Sequence, residues 1–171
     1  MEIIVQKNGA EAERTMQDLL GSCAGNPLTA ALCGCIFEPY AIEQLERGGN
    51  FTCRQLVHGK KKHKPGDTTV DIPPSHKIVV DRITEGQIHN QLYVPITKNF
   101  TAIDAWIPGI GAFQMTVGKN HGIKISSKQE LAKLGKIQTF YWLLPPLYYK
   151  TFTKKTPQEI DQYALLIPYS E

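Results

Sequence analysis

Three polar residues in the second half of the chain have the types and spacing of a site for a hard divalent cation. Asp104 lies in one apolar segment, and Gln114 and Thr116 lie in the next. Because side chains alternate along a strand, Gln114 and Thr116 would share a face that Asp104 meets across the ladder. Carboxylate, amide and hydroxyl oxygens are ligands that Mg²⁺ takes together with substrate phosphates. The pattern therefore predicts a site for Mg²⁺ at this edge of the sheet.

A second carboxylate and a group of cations extend this hypothesis. Glu38, in the helical segment that precedes the strands, is the candidate second carboxylate on the same face. A basic segment contains Lys60, Lys61, Lys62 and Lys64, which suit electrostatic contacts to phosphates. Short basic clusters are also typical of nuclear-import signals, and a solvated loop is the simplest alternative.

The elements that must position these residues follow from periodicity and turn residues. A helix is predicted from Pro27 to the Gly48–Gly49 pair, with a kink or break at Pro39. Shorter helices are predicted at 10–20 and 128–134. Strands are predicted at 51–57, 77–83, 91–96, 102–107, 112–117, 138–144 and 163–167, of which 138–144 is expected to be central and buried on both faces. The turn at 108–111 makes 102–107 and 112–117 a hairpin.

Bulk properties indicate an ordinary globular α/β chain. Its 171 residues fit one domain covering 1–171, and the net charge of +3 permits nucleic-acid binding without requiring it. No apolar run approaches the roughly 20 residues needed to cross a bilayer, so no membrane association is expected. The four cysteines lack zinc-ligand spacing, and we predict reduced thiols and an intracellular location.

An ordered set of short motifs resembles a known family. The motifs are Phe37-Glu38, a GGxFxxR segment at 48–54, Ile103-Asp104, an FQxT segment at 113–116, and His121. Together they resemble the C-terminal nuclease-like domain of Crinkler and retrotransposon-hot-spot proteins, a branch of the PD-(D/E)xK restriction-endonuclease-like superfamily. The resemblance covers about residues 28–144. It implies a three-layer α/β core with a central mixed sheet flanked by helices, and the C-terminal part of a longer protein.

The resemblance also implies roles for individual residues. Glu38, Asp104 and Gln114 would hold Mg²⁺ or Mn²⁺. Thr116 stands where the family has a catalytic lysine, a departure that removes a charge, and Lys119 is the nearby replacement. Arg54, His121 and the four loop lysines would contact nucleic acid, most simply DNA.

Two functions follow, and each candidate residue has a structural alternative. The first function is a metal-dependent nuclease of the Crinkler effector type. The second is a catalytically inactive nuclease-fold module that binds DNA or a host protein in the nucleus, with a homodimer as an open alternative. Structurally, Asp104 can cap a turn, Gln114 can face solvent, and His121 can pack in a loop. Glu38 can favour a helix start at Pro39.

Overall fold

The computed structural model describes residues 14–15, 18–19, 21, 27–57, 65–81, 88–96, 103–118, 139–154 and 160–169. The elements with bounds inside these ranges are two helices and eight strands. In chain order they are α1 (Pro27–Arg47), β1 (Gly49–Gln55), β2 (Thr68–Ile72), β3 (Lys77–Val80), β4 (Leu92–Pro95), β5 (Ala105–Ile107), β6 (Gly111–Met115), β7 (Thr139–Leu144), α2 (Pro146–Tyr149) and β8 (Asp161–Leu166).

The eight strands form one mixed sheet in the order β2-β1-β8-β7-β6-β5-β4-β3. The neighbours β6, β7 and β8 run parallel, and so do β3 and β4. The remaining neighbours are antiparallel, including the predicted β5–β6 hairpin. The expected α/β class with a central mixed sheet is therefore confirmed.

The sheet is strongly curled. Its two edge strands, β2 and β3, are joined by only four residues, 73–76. Seven strand spacings would separate the edges of a flat sheet by about 34 Å. A linker of four residues spans at most about 18 Å between its flanking residues. The edges must therefore approach each other, which leaves a concave face that α1 fills.

Helix α1 fills the concave face with a stripe of apolar residues spaced four apart. Cys33, Phe37, Ala41 and Leu45 are each at most 1% exposed and belong to one core cluster. The same cluster contains residues from nearly every strand, from Ile72 on β2 to Leu92 on β4. We call this side of the sheet the helix face.

The convex side carries a second apolar cluster. It contains Trp106 of β5, Trp142 of β7 and Ala164 of β8, and it is covered by Tyr149 and Phe152 from the region of α2. We call this side the tryptophan face. Strand β7 contributes to both clusters, with five of its six residues buried, as predicted for 138–144.

The end of α1 is tied to the link between β2 and β3. Helix α1 ends at Arg47, and Gly48 follows with a φ of +70°, a conformation that favours glycine. The Glu46 carbonyl accepts a hydrogen bond from the Ser75 N–H at 3.0 Å, and Glu46 Oε1 accepts one from the Lys77 N–H at 3.2 Å. These bonds fix the start of β3 to the helix end.

Three expectations need correction. Helix α1 continues through Pro39, so the predicted break there is wrong, while a kink stays a prediction. Pro39 and Cys35, whose carbonyl the missing N–H would have bonded, are both exposed, so water can bond that carbonyl. Strand β2 and helix α2 were not predicted. Cys33 is disulfide-bonded to a partner outside the described residues, so the expectation of reduced thiols is wrong there, while Cys35 and Cys53 are free.

Two further helix predictions, 10–20 and 128–134, fall mostly or wholly outside the described residues. Among the residues that are described, no helix combines the length and the apolar character that a bilayer crossing requires.

Candidate functional site

Asp104 lies in a β-bulge where β5 begins. Ala105 pairs with Phe113, and the Asp104 N–H also donates to the Phe113 carbonyl at 2.8 Å. Two residues of one strand thus oppose one residue of its neighbour, which defines a bulge. Ile103 and Trp106 pack in the same cluster, whereas strict alternation would place residues three positions apart on opposite faces. This placement agrees with a bulge between them. The bulge re-aims the Asp104 side chain away from strict alternation.

The Asp104 carboxylate is fixed to the neighbouring strand. Its Oδ2 accepts a hydrogen bond from the Met115 N–H at 2.7 Å. That length is typical of a charge-assisted bond from a backbone N–H to a carboxylate. The bond holds the Asp104 carboxylate beside the residue that follows Gln114.

Gln114 projects to the tryptophan face. Its strand neighbours Phe113 and Met115 both belong to the helix-face cluster, and alternation directs Gln114 to the other side. There it lies beside Trp142, its register partner on β7, and it is only 4% exposed.

Glu38 occupies the opposite side of the sheet. It lies on α1, next to Phe37, whose ring is buried in the helix-face cluster. The sheet therefore stands between Glu38 and Gln114. As arranged, these two side chains do not converge on one ion, so the three-residue metal site does not fit this geometry as a set.

Thr116 is committed to a local turn. Its Oγ1 accepts a hydrogen bond from the Gly118 N–H at 3.1 Å and donates to the Gly118 carbonyl at 3.3 Å. Its own N–H donates to the Leu143 carbonyl of β7 at 3.1 Å. Thr116 is 5% exposed, and because its hydroxyl bonds to Gly118, it stabilises the end of β6.

Arg54 stabilises the chain around α2. Its Nη2 donates to the Tyr149 carbonyl at 2.8 Å and to the Phe152 carbonyl at 3.2 Å. The guanidinium also lies 5.6 Å from the centre of the Tyr149 ring. The Tyr149 hydroxyl donates to Asp67 Oδ1 at 2.9 Å. Burial, and next the bond to Asp67, raise the pKa of Tyr149 well above its usual range.

The remaining candidates lie outside the described residues. They are Lys60, Lys61, Lys62, Lys64, Lys119 and His121. Their predicted contacts with nucleic acid or substrate stay predictions. The segment that contains the four lysines connects β1 to β2, which are antiparallel neighbours at one edge of the sheet.

The described part of the chain contains no group of three or more His, Cys, Asp or Glu side chains arranged to hold a metal ion.

One buried polar pair was not anticipated. Trp142 Nε1 donates to Gln162 Oε1 at 3.0 Å, and both residues are fully buried. Gln162 lies one residue before the predicted strand 163–167 and beside Asp161, so nothing in the sequence signals that it is buried. Its bond to Trp142 fits the rule that buried polar groups need hydrogen-bond partners. The aromatic residues of β7 are packing residues, with the Phe140 and Trp142 ring centroids 5.1 Å apart.

In the described residues, these observations define an α/β fold whose mixed sheet curls around helix α1, with polar residues at the β5–β6 junction bonded to the backbone. In sequence, the chain is 54% identical over its whole length to Crinkler effector protein 15 of Phytophthora infestans, and 53% identical to Crinkler effector protein 16 of the same organism. It spans 28% of each of these relatives. The Crinkler part of the resemblance is thus confirmed. No protein-family model and no solved structure matches the chain.

Proposed function

We propose that this chain is a Crinkler effector domain with a restriction-endonuclease-like core that binds nucleic acid without hydrolysing it. Its relatives over the whole chain are named Crinkler effectors. Strands β4 to β8 lie in the sheet in the order of the sequence, and α1 forms a helix layer on the concave face. Both features support a restriction-endonuclease-like core.

The observation that carries the non-catalytic assignment is the separation of Glu38 and Gln114 by the sheet. The helix-face cluster lies on one side with α1, and Gln114 lies on the other beside Trp142. Thr116 supports the same assignment, because the hydroxyl at the position of the family's lysine is bonded to Gly118.

The binding surface in this proposal is the lysine segment between β1 and β2. Phosphate contacts by lysine are electrostatic and need no fixed pocket. The two ends of the segment are neighbours at the sheet edge, where Cys53 of β1 pairs with Thr68 of β2. The domain would act inside a host cell, with the nucleus as its site of action.

One gel experiment tests both parts of the proposal. A labelled duplex is incubated with the protein and Mn²⁺, and the sample is divided between a native gel for binding and a denaturing gel for cleavage. We expect retardation without cleavage. The variant Lys61→Gln/Lys62→Gln should bind more weakly, and the control Lys150→Gln/Lys154→Gln should bind like the wild type. Equal loss in the control would refute binding through the lysine segment, and no retardation by the wild type would leave a host protein as the remaining partner class.

A metal-dependent nuclease is the second candidate, favoured by the Asp104 carboxylate held at the β5–β6 junction. Cleavage by the wild type that is lost in Asp104→Asn, with the fold retained by circular dichroism, would establish it in place of the first.

A further inference from the structure

The edge strand β3 has an exposed, apolar and self-complementary sequence. Residues 77–81 read Lys-Ile-Val-Val-Asp. The apolar side chains of Ile78 and Val79 on β3 are exposed, by 36% and 52% respectively. Strand β3 ends the strand order, so within the described residues only β4 pairs with it. Such an edge is a template for pairing with another strand.

The hydrogen bonds to β4 determine which backbone groups of β3 face outward. The His76 carbonyl accepts from the Leu92 N–H, and the Val80 carbonyl accepts from the Ile96 N–H. Backbone groups of alternate residues point to opposite edges of a strand, so Val79 directs its N–H and C=O away from β4. Lys77 agrees with this, because its N–H also points outward. That N–H donates to Glu46 Oε1 of α1, so a second copy paired as far as Lys77 has to replace this bond.

From this pattern we propose that β3 pairs with β3 of a second copy of the chain, antiparallel and centred on Val79. A two-fold axis at this residue lets the two Val79 residues exchange both of their outward backbone hydrogen bonds. Ile78 then lies opposite Val80 of the second copy, which gives two apolar pairs on one face.

Charge complementarity favours a second copy over any other extended segment. With Val79 on the axis, Lys77 of each copy lies opposite Asp81 of the other. Lys77 and Asp81 are both exposed and lie four positions apart, so they share a face with Val79. Opposite charges directly across two antiparallel strands stabilise the pairing, whereas like charges destabilise it. The same five residues thus supply both sides of the interface.

The first experiment measures the mass of the 171-residue chain by light scattering across a dilution series. We expect twice the monomer mass of 19.1 kDa at the higher concentrations. Lys77→Asp places like charges together and should raise the dimer dissociation constant at least about tenfold. Lys77→Asp/Asp81→Lys restores opposite charges and should restore the dimer. The control Asp71→Lys, an exposed charge change on β2, should leave the dimer intact.

A second measurement reports the register. In Cys35→Ser, which removes the exposed free thiol, Val79→Cys should form an intermolecular disulfide, because opposed residues of a hydrogen-bonded pair have Cα atoms about 5.5 Å apart. Thr69→Cys on β2 should not. A chain that is monomeric throughout, or a dimer that both charge variants leave unchanged, would overturn the proposal.

Discussion

Asp104 connects two strands through its side chain, whatever ligand the domain binds. Its Oδ2 accepts the Met115 N–H at 2.7 Å, while its own N–H bonds to the Phe113 carbonyl. The carboxylate thus replaces a backbone acceptor at the point where the bulge interrupts the ladder. A role in holding the hairpin together explains an aspartate in this apolar segment without a metal ion.

Replacing this carboxylate should lower stability. We expect Asp104→Ala to reduce the free energy of unfolding by about 1–2 kcal/mol, since the Met115 N–H loses its acceptor. Asp104→Asn keeps an acceptor oxygen and should cost less. Urea denaturation measures both, and Asp71→Ala at an exposed edge position should change stability by under about 0.5 kcal/mol. An unchanged Asp104→Ala protein would contradict the structural role.

Tyr141 should make stability fall at alkaline pH. Burial on the helix face, and next the proximity of Cys53 and Tyr163, raise the pKa of Tyr141 to about 12. The unfolded chain loses this proton near pH 10, so the folded state binds one more proton between pH 10 and 12. The free energy of unfolding therefore falls as pH rises through that window.

Tyr141→Phe removes this contribution. Its free energy of unfolding should decline less steeply between pH 10 and 12, by up to about 1.4 kcal/mol per pH unit, with no difference in slope at neutral pH. Urea denaturation at several pH values tests this. Parallel declines in the two proteins would show that Tyr141 does not titrate as proposed.

The roles of individual residues were predictable from sequence to a limited degree. Asp104 was identified as exceptional because it lies between apolar neighbours, and the structure gives it a specific partner. Its face could not be predicted, because a bulge shifts alternation by one residue and leaves no reliable mark in sequence. The sequence predicts a nucleic-acid contact for Arg54, whereas the structure bonds its guanidinium to the Tyr149 and Phe152 carbonyls, 95 and 98 residues away. Partners so distant in sequence leave no local signal around a cationic residue.

At the scale of elements, the junction between α1 and β1 depends on Gly48. This residue has a φ of +70°, and a Cβ there would lie 2.5 Å from the Pro74 nitrogen and 2.6 Å from the Ile72 carbonyl oxygen. Backbone atoms cannot yield as a flexible side chain can. The close approach of 73–76 to the helix end therefore requires glycine.

Gly48→Ala should consequently be strongly destabilising, by about 3 kcal/mol or more, because conformational strain adds to the backbone clash. Gly66→Ala is the matched control, since a Cβ at that position meets no atom within 4 Å. Thermal unfolding of the two variants compares them directly. A Gly48→Ala protein as stable as the control would mean that 73–76 does not contact the helix end.

Elements with strong local signals were the predictable ones. The β5–β6 hairpin was found from its turn, in which Pro108 precedes Gly109 with a φ of +87° and the Ile110 N–H bonds to the Ile107 carbonyl. Strand β2 was missed because it follows a lysine-rich segment and four of its five residues are not buried, so its apolar signal is weak. Helix α2 has four residues, too few for a periodic pattern.

At the scale of the whole molecule, the curled sheet is a property that no local pattern contains. It arises because β2 and β3, joined by four residues, occupy opposite ends of an eight-stranded order. Glu38 and Gln114 are separated because α1 packs on one face of the sheet and alternation along β6 directs Gln114 to the other face. Motif order alone therefore indicated the family resemblance but could not show which side chains converge.

The central claim is that the domain binds nucleic acid through the lysine segment between β1 and β2, and its salt dependence tests this most directly. The association constant for a duplex is measured by fluorescence anisotropy over a range of salt concentrations. If each of the four lysines contacts one phosphate, the logarithm of the constant should fall against the logarithm of salt concentration with a slope of about −3.6. Replacing all four lysines by glutamine should remove most of that slope. An unchanged slope in that variant would contradict the account.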